Sequence, residues 1–353
     1  MSKVAPIFTF TRRAALALPV LALGLSAMAG IAAAEESIVV VGQGGSYQEA
    51  QRKAFFEPFT KASGIRIIEQ SPPDYGKFQA MVESGNVEWD VVDVGQGFVL
   101  RGAKRNLLEP IDYAANGIAK DDFSADLVTG YSVPSIVWST TLNYNTDLVK
   151  PESAAKGWAQ FWDVKQFPGE RTLPKDPVNL LEIALLADGV EPSKLYPLDV
   201  DRAFRSLDKI KPYIQVWWET AGKAEQLLVD GEVAYSAAGQ ARIQKARRDG
   251  AHVAVDWEQG TQTSQSWVIP RGSKHREAAL KFIAFVSSPE RQAELAKYID
   301  YGPSNRKAFE FIPAGTELPT SPNLQNKQVL TDPAWWAQNY DAVNERFRKW
   351  LLQ

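Results

Sequence analysis

The chain has 353 residues, with 39 basic and 42 acidic side chains, a formal net charge of −3 and no cysteine. This length is sufficient for two packed cores. The mildly acidic balance, without basic runs, argues against a nucleic-acid partner. The absence of cysteine excludes disulfides, thiolate chemistry and a lipid-modified N-terminal cysteine.

The N-terminus has the three parts of a secretory signal peptide. Lys3, Arg12 and Arg13 form a basic start, residues 14–30 are almost wholly apolar, and residues 32–34 are alanines at cleavage spacing. Because the apolar stretch is at the short end for a membrane span of about 20 residues, cleavage is favoured over an uncleaved anchor. The arginine pair fits export of a folded protein as well as the ordinary route. We therefore expect a free, mature protein in a Gram-negative periplasm.

After this segment, short apolar runs alternate with helical patterns, which predicts α/β layers around mainly parallel sheets. Ser46 and Glu49 form a predicted capping box at the start of the first helix. Pro58 inside that helix predicts a bend or an early stop, and Gly64 predicts its end. The other predicted elements are strands at 37–41, 65–68, 89–94, 233–236, 251–255 and 267–272, and helices at 180–186, 203–210, 277–286 and 332–352.

The sequence offers little for catalysis. His252 and His275 stand in unrelated contexts and are best interpreted as structural or surface residues, so a Ser-His-Asp triad or a histidine metal site is improbable. The run Gly42-Gln43-Gly44-Gly45 lacks the third glycine of a dinucleotide fingerprint, and no P-loop is found. We predict no catalytic residue, no metal and no cofactor, and therefore no enzyme.

Four blocks carry a resemblance to a known family. They are VVVGQGGSYQEAQRKAFFEPFTKASGI (39–65), WDVVDVGQG (89–97), SWVIPRGSKHREAALKFIAFVSSPERQ (266–292) and IDYGPSNRKA (299–308). Together they resemble the extracellular solute-binding proteins of ABC importers, in the subgroup of spermidine/putrescine receptors and their relatives for amino-butyrate-like compounds.

The resemblance implies a two-lobed, type II periplasmic binding protein fold. Each lobe would be a mainly parallel sheet flanked by helices, and crossing hinge strands would join the two. Residues 1–34 would be the signal peptide. The predicted first lobe comprises residues 37–142 plus 267–302, and the second comprises residues 143–266 plus 303–353. Ligands of open α/β sheets bind at the carboxyl ends of strands, and pockets favour domain interfaces.

Several site residues follow from the position of turns, from residue chemistry and from what the resemblance implies. Ser46 and Tyr47 occupy a strand-to-helix turn, although a plain helix cap would also explain them. Arg242 suits a carboxylate, with a surface salt bridge as the alternative. Gln265 stands where amine-binding relatives offer a carboxylate, so long diamines and triamines should bind poorly. The remaining candidates are Gln96 beside two glycines, Asp176 and Asn179 with helix capping as the alternative, Trp218 and Glu219 as an ammonium site, and Tyr301 and Trp336 by resemblance.

The predicted function is a substrate-binding receptor that captures a small amine or amino acid derivative, either polyamine-like or zwitterionic, and delivers it to a membrane permease. Another small polar solute, such as a carboxylate, sugar acid or phosphonate, remains the alternative within transport. An enzyme on the same two-lobed fold is a weaker alternative. The expected partners are the small-molecule ligand and the importer's permease subunits, and the protein is expected to be a monomer.

Overall fold

The computed structural model describes residues 36–321 and 323–353, so the predicted signal peptide lies outside the described residues. Within these ranges ten strands form one sheet. The strands are β1 (Ser37–Val41), β2 (Arg66–Gln70), β3 (Val91–Gly95), β4 (Val133–Asn145), β5 (Arg171–Pro174), β6 (Ile214–Trp218), β7 (Tyr235–Gly239), β8 (Val253–Val268), β9 (Gly302–Pro303) and β10 (Gln328–Leu330).

Helices cover the sheet on both faces. They are α1 (Gly45–Gln51), α2 (Glu57–Ser63), α3 (Tyr75–Ser84), α4 (Gln96–Lys104), α5 (Gly157–Trp162), α6 (Leu180–Ala187), α7 (Val200–Ile210), α8 (Ala221–Val229), α9 (Gln240–Arg248), α10 (Arg276–Val286), α11 (Pro289–Ala296) and α12 (Pro333–Leu351). None of the helices in the described ranges is both long enough and apolar enough to cross a membrane. The predicted helices are present, with ends shifted by a few residues. So are the predicted strands, except that 251–255 and 267–272 belong to the two ends of the single strand β8, which ends at Val268.

The sheet order is β2-β1-β3-β8-β4-β7-β5-β6, with β9 paired to β4 and β10 to β8. The outer pairs are parallel, as predicted, whereas β3–β8, β4–β8 and β4–β7 in the centre are antiparallel. The 16-residue β8 pairs with the end of β4 through its first residues and with β3 through its last. The long strands β4 and β8 therefore run through both halves of the molecule.

Two sets of buried residues form the cores of the two lobes. The first lobe's core comes mainly from residues 38–136 and 267–299, and the second lobe's core comes from residues 142–255 and 329–350. The predicted boundaries at 142/143, 266/267 and 302/303 fall inside β4, β8 and β9. Because these strands are continuous there, the exact boundaries stay a prediction.

The start of the first helix differs from the prediction. Gly44, not Ser46, is the N-cap, and its N–H donates to Gln48 Oε1 at 3.1 Å. The predicted capping box is therefore wrong, because Ser46 lies inside α1 and its hydroxyl has a partner elsewhere. Pro58 is accommodated by a π-helical turn that precedes it, and it then occupies the first turn of α2, where a missing N–H costs no helical hydrogen bond. Gly64 ends α2 in the left-handed conformation, as predicted (φ 75°).

Candidate functional site

One face of the central sheet carries an aromatic ring, an amide and two glycines. Gln265 pairs with Gly95 on one side and with Ile136 on the other, and Trp138 lies two residues beyond Ile136 on β4. Paired residues share a face, and so do residues two apart along a strand. A Cβ on Gly239 would lie 3.6 Å from the Trp138 ring. We call the face that carries Trp138, Gln265, Gly95 and Gly239 the cleft face.

Three polar atoms on the cleft face lack a partner. Among the described residues, Nε1 of Trp138, Oε1 of Gln265 and Oγ1 of Thr261, which pairs with Thr140 on this face, are buried and make no hydrogen bond. Because a buried unpaired donor or acceptor costs about 1–3 kcal/mol, such atoms mark a place where another molecule can complete the bonding. The cleft face therefore offers one donor, one acceptor and one hydroxyl, which can do either, to a bound solute.

Arg242 links the two lobes at the edge of the cleft face. It lies in the first turn of α9, which begins directly after Gly239. Its Nη1 donates to Ser46 Oγ at 2.9 Å and its Nη2 donates to the Gly44 carbonyl at 3.1 Å. A Cβ on Gly45 (φ 57°) would lie 2.7 Å from Nη1, so this approach requires glycine. The side chain is 5% exposed, and its Nε has no hydrogen-bond partner in the described part of the chain.

Two tyrosines lie beneath this contact. Tyr301 packs edge-on against Tyr47, with ring centroids 4.7 Å apart, and the Tyr47 hydroxyl donates to Asp93 Oδ2 at 2.8 Å. Burial raises the pKa of Tyr301, and the Arg242 charge partly offsets that rise. Burial raises the pKa of Asp93 to about 7, opposed by hydrogen bonds from Ser135, Tyr47 and a glutamine. The predicted residues Ser46, Tyr47, Arg242 and Tyr301 therefore lie together.

Asp176 and Asn179 occupy the turn before α6. Asp176 Oδ1 accepts from the Val178 N–H at 2.8 Å, and the residue as a whole is exposed. Its carboxyl group lies on the less accessible side, where desolvation raises its pKa and the charge of Arg101 opposes that rise. Asn179 is the N-cap residue of α6 but makes no side-chain cap bond, and its Oδ1 is buried without a partner among the described residues. Helix capping thus does not account for the Asn179 side chain.

Three predicted residues have protein partners instead of facing Trp138 and Gln265. Trp218 Nε1 donates to a β7 carbonyl at 3.0 Å. Glu219 is exposed and lies 2.6 Å from Lys175 Nζ, whose hydrogen bond lowers the pKa of Glu219. Trp336 is 3% exposed, and its Nε1 donates to Glu182 at 2.6 Å. Nothing in these contacts brings the three side chains to the cleft face.

A cavity of about 990 Å³ lies on the other side of the crossing strands. Val137 and Ser264 line it and pair with each other. Because each is next in sequence to a cleft-face residue, both point to the opposite face. The predicted residue Gln96 lines this cavity, where its Nε2 donates to the Leu127 carbonyl at 3.1 Å and its Oε1 accepts from Ser266 at 2.8 Å. Gln96 is thus already fully engaged by the protein.

The histidines belong to surface contacts. His252 Nδ1 lies 2.8 Å from an Asp147 oxygen, and His275 Nδ1 lies 3.1 Å from Asp90. The described residues contain no group of three or more histidine or acidic side chains placed to hold a metal ion.

Sequence reasoning overlooked Trp138 and Tyr75, whose hydroxyl accepts from the Gly95 N–H at 3.3 Å. The only local signal for Trp138 was a large ring within a strand that continues in small polar residues.

The chain matches the family model for bacterial extracellular solute-binding proteins over residues 54–326. The gamma-aminobutyric acid-binding protein of Pseudomonas aeruginosa is 35% identical over 339 residues, covering 94% of this chain and 95% of that protein. A solved ABC transporter substrate-binding protein from Bradyrhizobium japonicum is 40% identical, with a TM-score of 0.84, covering 90% of this chain and 99% of that one.

The structures of two periplasmic binding proteins of Agrobacterium tumefaciens superpose on this chain with different TM-scores. One, solved in complex with agropinic acid, is 36% identical with a TM-score of 0.83 and covers 90% of this chain and 99% of its own. Another, solved in an open unliganded conformation, is 33% identical with a TM-score of 0.67 and covers 90% and 100%. The backbone of this chain therefore matches that of the ligand-bound protein more closely than that of the open, unliganded one.

Proposed function

Because the chain belongs to the bacterial extracellular solute-binding proteins, we propose that it captures a small amino-acid-like zwitterion between its lobes. The family and its solved relatives are substrate-binding proteins of ABC transporters and not enzymes. In this proposal the mature protein works in the periplasm as a monomer, after loss of residues 1–34, and delivers its ligand to a permease. The lobes follow the predicted boundaries, 37–142 plus 267–302 and 143–266 plus 303–353.

The observation that carries the proposal is the buried Arg242 at the contact between the lobes. Its guanidinium reaches the first lobe while its Nε remains unpartnered among the described residues. A buried guanidinium is the usual partner of a carboxylate, since its fork of donors matches two oxygens. Across the cleft face, Gln265 Oε1 is an unpartnered acceptor suited to an ammonium group. A cationic donor and a neutral acceptor complement a ligand with one acidic end and one amine end.

The same arrangement disfavours diamines. The charge of Arg101 acts on Asp176 and opposes the rise in its pKa, and Glu219 is paired with Lys175. A second ammonium group would therefore meet the positive charge of Arg242, while these two predicted carboxylates already have basic neighbours. The relative from Pseudomonas aeruginosa is named for gamma-aminobutyric acid, which has one acidic and one amine end. The charges at the site and the ligand named for this relative both support 4-aminobutyrate as the type of ligand.

Calorimetry on ligand-stripped protein tests this proposal. We expect 4-aminobutyrate or a closely related ω-amino acid to bind more tightly than putrescine, spermidine or butyrate, which lacks the amine. Small-angle scattering on the same samples should show a smaller radius of gyration with the bound ligand, because closure buries contacts between lobes. Tight spermidine binding would overturn the assignment to a zwitterion.

A different acidic solute is the second candidate. One relative in the same family fold was solved with agropinic acid, and Arg242 would serve any carboxylate. Mass spectrometry of the solute that co-purifies with the protein, released by denaturation, separates the two. A mass of an ω-amino acid supports the first candidate, whereas a sugar acid or larger conjugate supports the second.

A further inference from the structure

We propose that Trp138 is a ligand-contacting residue that sets specificity, with its indole N–H donating to an oxygen of the ligand. This inference rests on the proposed function, which supplies a ligand with a carboxylate end. It goes further because it assigns the contact to β4, a strand from which neither sequence pattern nor resemblance selected a site residue.

The first step is the position of the ring. Trp138 is half-buried and lies on the same face as Gln265, two residue pairs away along the β4–β8 ladder. Diagonal neighbours on one face lie within reach of the same small molecule. The ring has room because Gly239 lacks a side chain, and a Cβ there would already be in van der Waals contact with the ring edge, 3.6 Å away.

The second step is the unmet bonding capacity of the site. Unpartnered buried atoms in this part of the described chain include two donors, Trp138 Nε1 and Arg242 Nε, one acceptor, Gln265 Oε1, and the Thr261 hydroxyl, which can donate or accept. The two donors require acceptor oxygens, and the acceptor requires a donor nearby. A carboxylate and an amine in one small molecule satisfy this set, whereas a diamine leaves both donors unpaired. Trp138 therefore selects for the oxygen-bearing end in concert with Arg242.

The third step is a comparison with other tryptophans. Trp162, Trp218 and Trp336 each donate their Nε1 to a protein oxygen, at 3.1, 3.0 and 2.6 Å. An indole buried for structural reasons finds a protein acceptor in these cases, as buried polar groups generally do. Trp138 differs from them by having none, which is the property expected of a group reserved for a ligand.

The test uses Trp138→Phe, which keeps the aromatic face and removes the N–H, with Trp162→Phe as the matched control. Because the acceptor is a charged carboxylate, we expect Trp138→Phe to weaken 4-aminobutyrate binding by about one to two orders of magnitude by calorimetry. Trp162→Phe should leave the dissociation constant unchanged. In the ligand-free proteins we expect the opposite pattern in thermal stability. Trp162→Phe should lower the melting temperature because it loses an internal hydrogen bond, and Trp138→Phe should not.

The outcomes separate the two proposals. Unchanged affinity in Trp138→Phe, with tight binding in the parent protein, overturns the role of Trp138 and leaves the proposed function standing. A loss of melting temperature in the empty Trp138→Phe protein as large as in Trp162→Phe also overturns it, whatever the ligand, because the N–H would then have a partner within the protein. No binding of any zwitterion by the parent protein overturns the proposed function itself.

Discussion

Replacing Arg242 with alanine is the most informative single change, because it affects ligand binding and lobe closure together. The guanidinium makes two hydrogen bonds to the first lobe, at 2.9 and 3.1 Å, and is 5% exposed. A hydrogen bond to a charged group contributes about 1.5–3 kcal/mol. If Arg242 holds the ligand carboxylate, its loss should weaken 4-aminobutyrate binding by about one to two orders of magnitude.

The effect on the empty protein should be smaller. When the lobes open, Ser46 Oγ and the Gly44 carbonyl gain water in place of the guanidinium, so neither group stays buried and unpaired. Arg242→Ala should therefore shift the population toward the open form while the melting temperature of the empty protein changes little. Scattering should report a larger radius of gyration for the empty variant than for the empty parent.

Two companion variants define the mechanism. Arg242→Lys keeps the charge but lacks the planar fork, so we expect an affinity between those of the parent and the alanine variant. Arg247→Ala removes an exposed arginine from the same helix and should leave binding unchanged. Calorimetry with 4-aminobutyrate measures all three. Binding by Arg242→Ala equal to that of the parent would refute the assignment of the carboxylate to Arg242.

Three further outcomes are expected. Export should remove the N-terminal segment near Ala34, and Edman sequencing of the periplasmic protein should not begin at Met1. Gln265→Glu should improve putrescine binding and weaken butyrate binding, whereas no change in either affinity would remove Gln265 from the site. Burial raises the pKa of Glu182 to about 7, above its unfolded value, so its contribution to stability is present below about pH 4.5 and is lost as the pH rises through 7. Glu182→Gln should therefore flatten the decline of the melting temperature between pH 5 and pH 8, and an unchanged pH slope would contradict this origin.

Local patterns predicted part of the order of elements, but strands such as β4 were not among the predicted ones. The alternation of apolar runs and helical patterns predicted strands and helices at nearly their observed places, and Gly64 ends its helix as predicted. These features depend on residues within one turn or one strand, where propensity and hydrophobic period act. The pairing directions in the middle of the sheet were not predictable in the same way. They depend on how β4 and β8 pass between the lobes, which involves residues more than a hundred positions apart.

The site shows the same limit at single residues. Ser46 has the sequence context of an N-cap, yet its hydroxyl accepts from Arg242, 196 residues away. Gln96 follows a strand end, where ligands of open α/β sheets bind, but its amide bonds to Leu127 and Ser266 on the other face. A local rule identifies which side chains are available near a turn. It cannot identify which of them a distant segment has already engaged.

Which buried polar atoms lack a hydrogen-bond partner, by contrast, can be determined only from the folded chain. This property changes which of the predicted residues are the best candidates for ligand contact. Of the predicted residues, Arg242, Gln265 and Asn179 retain a buried polar atom without a partner in the described part of the chain, whereas Trp218, Glu219 and Trp336 are bonded to protein oxygens or to a lysine. Trp138 joins the first group although no pattern singled it out. Because leaving such atoms unpaired costs free energy in the empty closed form, a ligand that pairs them gains affinity and stabilises closure in the same step.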